Sequence, residues 1–170
     1  PDYDRAYGFK SVCLRYFNAA GADPRLEHGY TQNPASHLVP IIAKAIISKK
    51  TVQVFGNDYN TTDGTAERDY THVFDIATAH LAALNYLDDK GVSNTFNLGQ
   101  ANPNSVLQVI EAFERVTGET VQYEIVDRRA GDPPKTYADI TKAQQELGWE
   151  PIYGLDEIIR DSFAWEKKHK

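Results

Sequence analysis

Three arginines and a few polar residues at the ends of regular elements are what this sequence offers for chemistry. Asn18 follows the run Ser11–Phe17, in which apolar residues alternate, and the end of such a strand is where an open α/β sheet presents its ligands. Arg68 stands directly before Asp69-Tyr70, and Arg128-Arg129 precede Gly131-Asp132 in a loop. A guanidinium fork binds phosphate oxygens two at a time, so Arg68 and Arg129 could hold a phosphorylated anion. Spacing alone supports a plainer reading as well. Arg68 could pair with Asp69 and Arg129 with Asp132, and isolated surface pairs of this kind do little.

Other chemistries find less support. A dinucleotide fingerprint needs glycines three apart, so that the backbone can turn tightly against a pyrophosphate. The 11 glycines contain no pair so spaced. The one Tyr-x-x-x-Lys, Tyr86 to Lys90, falls at the end of a helical pattern, just ahead of Gly91. Asp88 and Asp89 blunt the cationic effect of Lys90, so Tyr86 reads as a helix-end tyrosine beside a solvated charge cluster rather than a catalytic group. No serine lies in a G-x-S-x-G elbow, and the 5 histidines and Cys13 show no metal-ligand spacing. Cys13 reads as a small core residue of its strand. As the only cysteine it excludes an internal disulfide and fits a reducing, cytoplasmic setting.

The elements that must position these residues alternate along the chain. Strands are expected at 11–17, 51–55, 95–98 and 121–126, from period-two apolar alternation. Helices are expected from Leu38 to Ile46, with Pro40 tolerable only in the first turn, and from Val73 to Leu87, with Val73, Ile76, Ala77, His80, Leu84 and Leu87 inward. Another runs from Ser105, which forms a capping box with Gln108, through the stripe Val106, Val109, Ile110 and Phe113 to a stop at Gly118. Asp139 or Thr141 opens a short helix closed by Gly148. The last helix starts at Asp156 and ends in Lys167-Lys168-His169-Lys170, acid first and base last as the helix dipole prefers. Strands interleaved with helices define an α/β fold. Four clear strands are few for a complete doubly wound sheet.

The whole chain agrees. Its 170 residues suit a single region without a linker. Lys+Arg 18 against Asp+Glu 24 gives a net charge of −6, which argues against a general nucleic-acid surface, so an anionic ligand would need a few placed cations. The longest apolar run, Ile41 to Ile47, is broken by Lys44, so no membrane span is expected. The absence of Met and the opening Pro1-Asp2-Tyr3-Asp4-Arg5 read as part of a longer protein.

Several phrases, taken together, resemble the extended short-chain dehydrogenase/reductase family of nucleotide-sugar enzymes, and within it the UDP-glucose 4-epimerases. They are Leu14-Arg-Tyr-Phe-Asn-Ala-Ala-Gly21, His37-Leu-Val-Pro40, Val54-Phe-Gly-Asn-Asp-Tyr59, Asp63-Gly-Thr65, Arg68-Asp-Tyr-Thr-His-Val73, Phe96-Asn-Leu-Gly99, Arg128-Arg-Ala-Gly-Asp132 and Lys142-Ala…Leu147-Gly-Trp149. They follow the family's order across nearly the whole chain. The F-G-N-D-Y…D-G-T loop is the most specific to 4-epimerases.

The resemblance implies that residues 1–170 are the C-terminal, substrate-binding portion of a Rossmann-type nucleotide-sugar epimerase, carrying the last strands and helices of the Rossmann sheet. The NAD-binding domain, with the glycine fingerprint and the catalytic tyrosine and lysine, would lie upstream, leaving no catalytic residue here. By the same resemblance, Tyr16 and Phe17 contact the nicotinamide end of NAD, and Asn18 touches the sugar-nucleotide diphosphate. His37 and Leu38 stand where the family has Asn-Leu against UDP; the histidine is a departure, although it too can donate. Gln53, Val54 and Phe55 belong to the strand that holds uracil by its backbone, with Phe55 beside the base. Arg68 and Arg129 match the diphosphate arginines, Asp132 the acid that takes the ribose hydroxyls, and Thr136 the position that gates room beside the sugar's 2-substituent. The complete protein would act on UDP-sugars with NAD, without metal, as a cytoplasmic homodimer.

Overall fold

The computed structural model describes residues 2–169. Its elements in chain order are α1 (Asp2–Tyr7), β1 (Val12–Tyr16), β2 (Asn18–Ala20), α2 (Leu38–Ser48), β3 (Val52–Phe55), β4 (Glu67–Arg68), β5 (Tyr70–His72), α3 (Val73–Lys90), β6 (Asn94–Leu98), β7 (Asn104–Ser105), α4 (Val106–Thr117), β8 (Tyr123–Val126), β9 (Lys135–Thr136), α5 (Thr141–Leu147) and α6 (Leu155–Lys168). No strand pairs with its neighbour in sequence. β1 lies parallel to β6, β2 to β5 and β3 to β8, while β4 is sandwiched between antiparallel β7 and parallel β9.

Local sequence explains the long elements. α2 carries Pro40 in its first turn, where a missing N–H costs nothing. α4 begins with the expected capping box: the Ser105 hydroxyl accepts from the Gln108 amide at 3.1 Å, and the Gln108 side chain accepts from the Ser105 amide at 2.8 Å. Gly118, at φ 71°, ends it in the left-handed turn that glycine adopts without strain. In α5, Asp139 Oδ1 accepts from the Thr141 amide at 3.0 Å, and Gly148 closes the helix.

Two apolar clusters hold these elements. One joins α2, β3, α4 and α6 through Ile42, Val52, Val54, Val109, Phe113, Ile158 and Ile159. The other packs Ala79 and Tyr86 of α3 on Phe96 and Leu98 of β6, closed by Ala138, Ile140, Ala143 and Trp149.

The structure corrects several expectations. A helix, α1, occupies residues 2–7. Residues 18–20, 67–68, 70–72, 104–105 and 135–136, where no strand is expected from the sequence, form short strands whose partners lie far off in sequence. Cys13 is exposed, since β1 pairs with β6 alone and only Val12 and Leu14 turn toward packing partners. α3 is rotated from the expected face. Asp75, Ile76, Ala79, Ala83 and Tyr86 are buried, whereas Ala77, His80 and Leu84 face outward. Asp75 must go in because its carboxylate accepts from the Ile152 and Tyr153 amides at 3.2 and 3.1 Å, and small Ala79 and Ala83 let the helix pack closely. Burial raises the Asp75 pKa despite those two amides.

Among the described residues, no helix is long and apolar enough to cross a membrane, and no group of three or more His, Cys, Asp or Glu is placed to hold a metal ion.

Candidate anion-binding site

Two cavities flank β2, sharing Ala19, Ala20 and His37 in their walls. The one of about 570 Å³ is mostly apolar, backed by Phe74, Trp165 and the buried Glu166, whose carboxyl burial pushes up in pKa. The other, of about 510 Å³, gathers Asn18, His37, Leu38, Gln53, Phe55, Arg68, Arg129 and Asp132. Both volumes suit a small organic ligand. Only the second brings two arginines together, so it is the one suited to an anion.

Each wall follows from local folding. Asn18 opens β2, and its Nδ2 donates to the Asp69 carbonyl at 3.1 Å, which fixes the amide's orientation. His37 is the N-cap of α2 in extended backbone, and its side chain makes no capping bond. Its ring instead meets Tyr30 edge-on, with centroids 5.7 Å apart. The first turn of α2 therefore opens onto this cavity with its partial positive charge, the ordinary setting for a bound anion.

Arg68 is mostly buried, with a side chain 17% exposed, and it donates to the Glu67 carbonyl at 2.7 Å and to the Asp132 carboxylate. Arg129 lies over the Phe55 ring, 3.9 Å from its centroid. The plain pairing expected from spacing is thus not formed: Arg68 takes Asp132, and Asp69 turns inward without a cation. Cation and aromatic together form a flat wall beside β3. That strand pairs on one side with β8, so its other edge keeps backbone groups for a ligand.

Some expected residues lie elsewhere. Val54 is 1% exposed in the core and does not line the cavity, so of the three β3 residues expected against a base only Gln53 and Phe55 reach it. Thr136 is not a cavity wall, although the β4–β9 register sets it opposite Arg68 and its carbonyl accepts from the Asp69 amide at 3.2 Å. Tyr16 and Phe17 also lie outside the cavity. Tyr16 is half exposed at the C-terminal end of β1, and Phe17 packs against the second cluster. Tyr86 holds its phenol against Asn94 and Glu146, away from both cavities.

Sequence reasoning missed Ser36, Tyr70, Val106 and Glu124 in the same wall. Glu124 could have been found from the alternation of β8, which turns it away from Val121. Nothing local marks the others. Burial pushes the Tyr70 phenol well above its usual pKa, so it stays protonated at the site's floor.

Mostly parallel strand pairs with helices between them, and a cavity beside β2 that holds two arginines, place the chain in the α/β class. The chain belongs to the NAD dependent epimerase/dehydratase family, whose family model matches residues 1–99. It is 47% identical over 166 residues to the UDP-glucose 4-epimerase of Halalkalibacterium halodurans, covering 96% of this chain and 50% of that protein. The solved UDP-glucose-4-epimerase of Stenotrophomonas maltophila, with bound NAD and formylated UDP-arabinopyranose, superposes with a TM-score of 0.92 at 42% identity, over 95% of this chain and 48% of that one. The UDP-Glc/GlcNAc 4-epimerase of Campylobacter jejuni superposes at 0.82, again with 42% identity, over 98% of this chain and 51% of that one. The chain spans about half the length of the curated relatives it matches.

Proposed function

We propose that this chain is the C-terminal, UDP-sugar-binding half of a UDP-glucose/UDP-galactose 4-epimerase. The observation that carries the reading is the single cavity uniting Arg68, Arg129, Asn18 and Asp132 with the open edge of β3 and the Phe55 ring. Arg68 and Arg129 offset the two charges of a diphosphate. Phe55 and the backbone of Gln53 take the uracil, and Asp132 accepts from the ribose hydroxyls. His37 and Leu38, at the open end of α2, add helix-terminal amides to the phosphate grip. Likeness to epimerases solved with NAD or acting on UDP-sugars supports it.

Tyr16 and Phe17 sit at the C-terminal end of β1, where open α/β sheets meet their ligands, so they fit beside a nicotinamide ring. Without a glycine fingerprint in this sequence, NAD would be held mainly by the other half of the complete protein, taken to be a cytoplasmic homodimer. Bound NAD supplies reversible hydride transfer at sugar C4. The work of the present residues is to fix UDP firmly and leave the hexose loosely held, so that either face can be offered.

Calorimetry with UDP tests this. Arg68→Ala and Arg129→Ala should each weaken binding by about 1.5–3 kcal/mol, the range for hydrogen bonds to charged groups. Unchanged affinity in both variants would leave the arginines as structural pairs only.

A further inference from the structure

Asp69 is 0% exposed and lies between β4 and β5. The structure records no cation beside it among the described residues. Three backbone amides satisfy its carboxylate instead: Gln100 at 2.8 Å on Oδ1, with Ala101 at 3.2 Å and Ala138 at 3.0 Å on Oδ2. Its own backbone is equally engaged. The Asp69 amide donates to the Thr136 carbonyl at 3.2 Å, and its carbonyl accepts from both the amide and the side chain of Asn18, at 3.0 and 3.1 Å. One residue therefore ties the start of β2, the β6–β7 loop and the end of β9 to the strand that bears Arg68. Neighbours in extended chain point opposite ways, so the inward turn of Asp69 aims Arg68 at the cavity.

We propose that Asp69 is a positioning residue for the phosphate end of the site: it sets Asn18, Arg68 and Thr136 in mutual register without touching the ligand. This rests on the nucleotide reading above. The base end is built differently, from β3 and β8, and Asp69 makes no recorded contact there. The signature is thus selective: disturbing Asp69 impairs recognition of the diphosphate and spares the nucleoside.

The test compares UDP and uridine binding to the complete protein that carries this chain, by calorimetry and ligand-detected NMR. Asp69→Asn preserves size but turns an amide donor toward backbone N–H groups that need an acceptor. UDP affinity should fall roughly tenfold, the equivalent of one charge-assisted hydrogen bond, while uridine affinity stays within about twofold. Should Asp69→Asn fail to fold, Gly99→Ala reads the same quantity, because a Cβ there would run into the Asp69 carboxyl and the Ala138 methyl while leaving both acceptor oxygens in place. Equal losses for UDP and uridine, or no loss for either, would overturn the proposal. A parent chain that binds neither compound would refute the nucleotide reading, and this inference with it.

Discussion

Thr136 and His72 show how single side chains carry consequences here. The β4–β9 register puts Thr136 opposite Arg68, while Tyr137 is 52% exposed on the other side of the strand, with Lys135. Threonine is far smaller than tyrosine, so on the proposed function, with Thr136 at the gate that the resemblance implies, the complete protein should accept UDP-N-acetylhexosamines as well as UDP-hexoses. Assays of both substrate pairs should show Thr136→Tyr losing the N-acetylated pair selectively; an unaltered preference would remove Thr136 from the gate. His72 is fully buried, its Nδ1 accepting from the Phe74 amide at 3.0 Å and its Nε2 lying 3.3 Å from Asp161. Burial lowers its pKa below the ordinary 6.5, although Asp161 works the other way. The unfolded chain therefore binds this proton more readily than the native one. Stability from this residue is complete above pH 6.5 and fades as pH falls from there toward the depressed native value. Urea midpoints at pH 7.5 and 5.5 should differ less in His72→Asn, which keeps a capping acceptor, than in the parent.

Among the elements, α4 is the one whose start does two jobs. The Ser105 hydroxyl caps the helix and donates to Asp63, whose other oxygen holds Thr65 by amide and hydroxyl at 2.8 and 2.7 Å. Desolvation works against the Asp63 charge, yet these bonds outweigh it and hold its pKa below the usual value. Ser105→Ala should cost about 1–2 kcal/mol, near the upper end for a lost cap, seen as a lower urea midpoint at unchanged slope. That cap was legible in the sequence, as were α2, the ends of α4 and α5, and strands β1, β3, β6 and β8, because their signals are local. Segments such as Glu67–Arg68 and Lys135–Thr136 were not. Two-residue strands have no periodicity of their own and exist only through distant partners. The face of α3 was misread for a related reason: Asp75 is buried to serve amides on the far side of the chain, a demand no hydrophobic pattern records. Site residues divide the same way, with the arginines visible by type and Asp69 by nothing local.

For the molecule as a whole, the sheets are narrow and their edges open. β1 has one recorded partner, Tyr16 is 49% exposed, and Leu81 and Leu84 of α3 are 64% and 58% exposed. Open edges and bare apolar side chains invite association. Light scattering of the isolated 170-residue chain should show apparent mass rising with concentration, and a constant monomer mass would contradict this. The pairing pattern carries a different consequence, in time rather than space. Ser11 meets Ser93 across 82 positions, beside a β1–β6 ladder whose strands are just as far apart, and no strand finds its partner in the next one along. Closing such long loops must precede the contacts that reward it, so folding is slow for the chain's size, whatever its final stability. Meanwhile each strand stays unpaired until a partner far along the chain has formed.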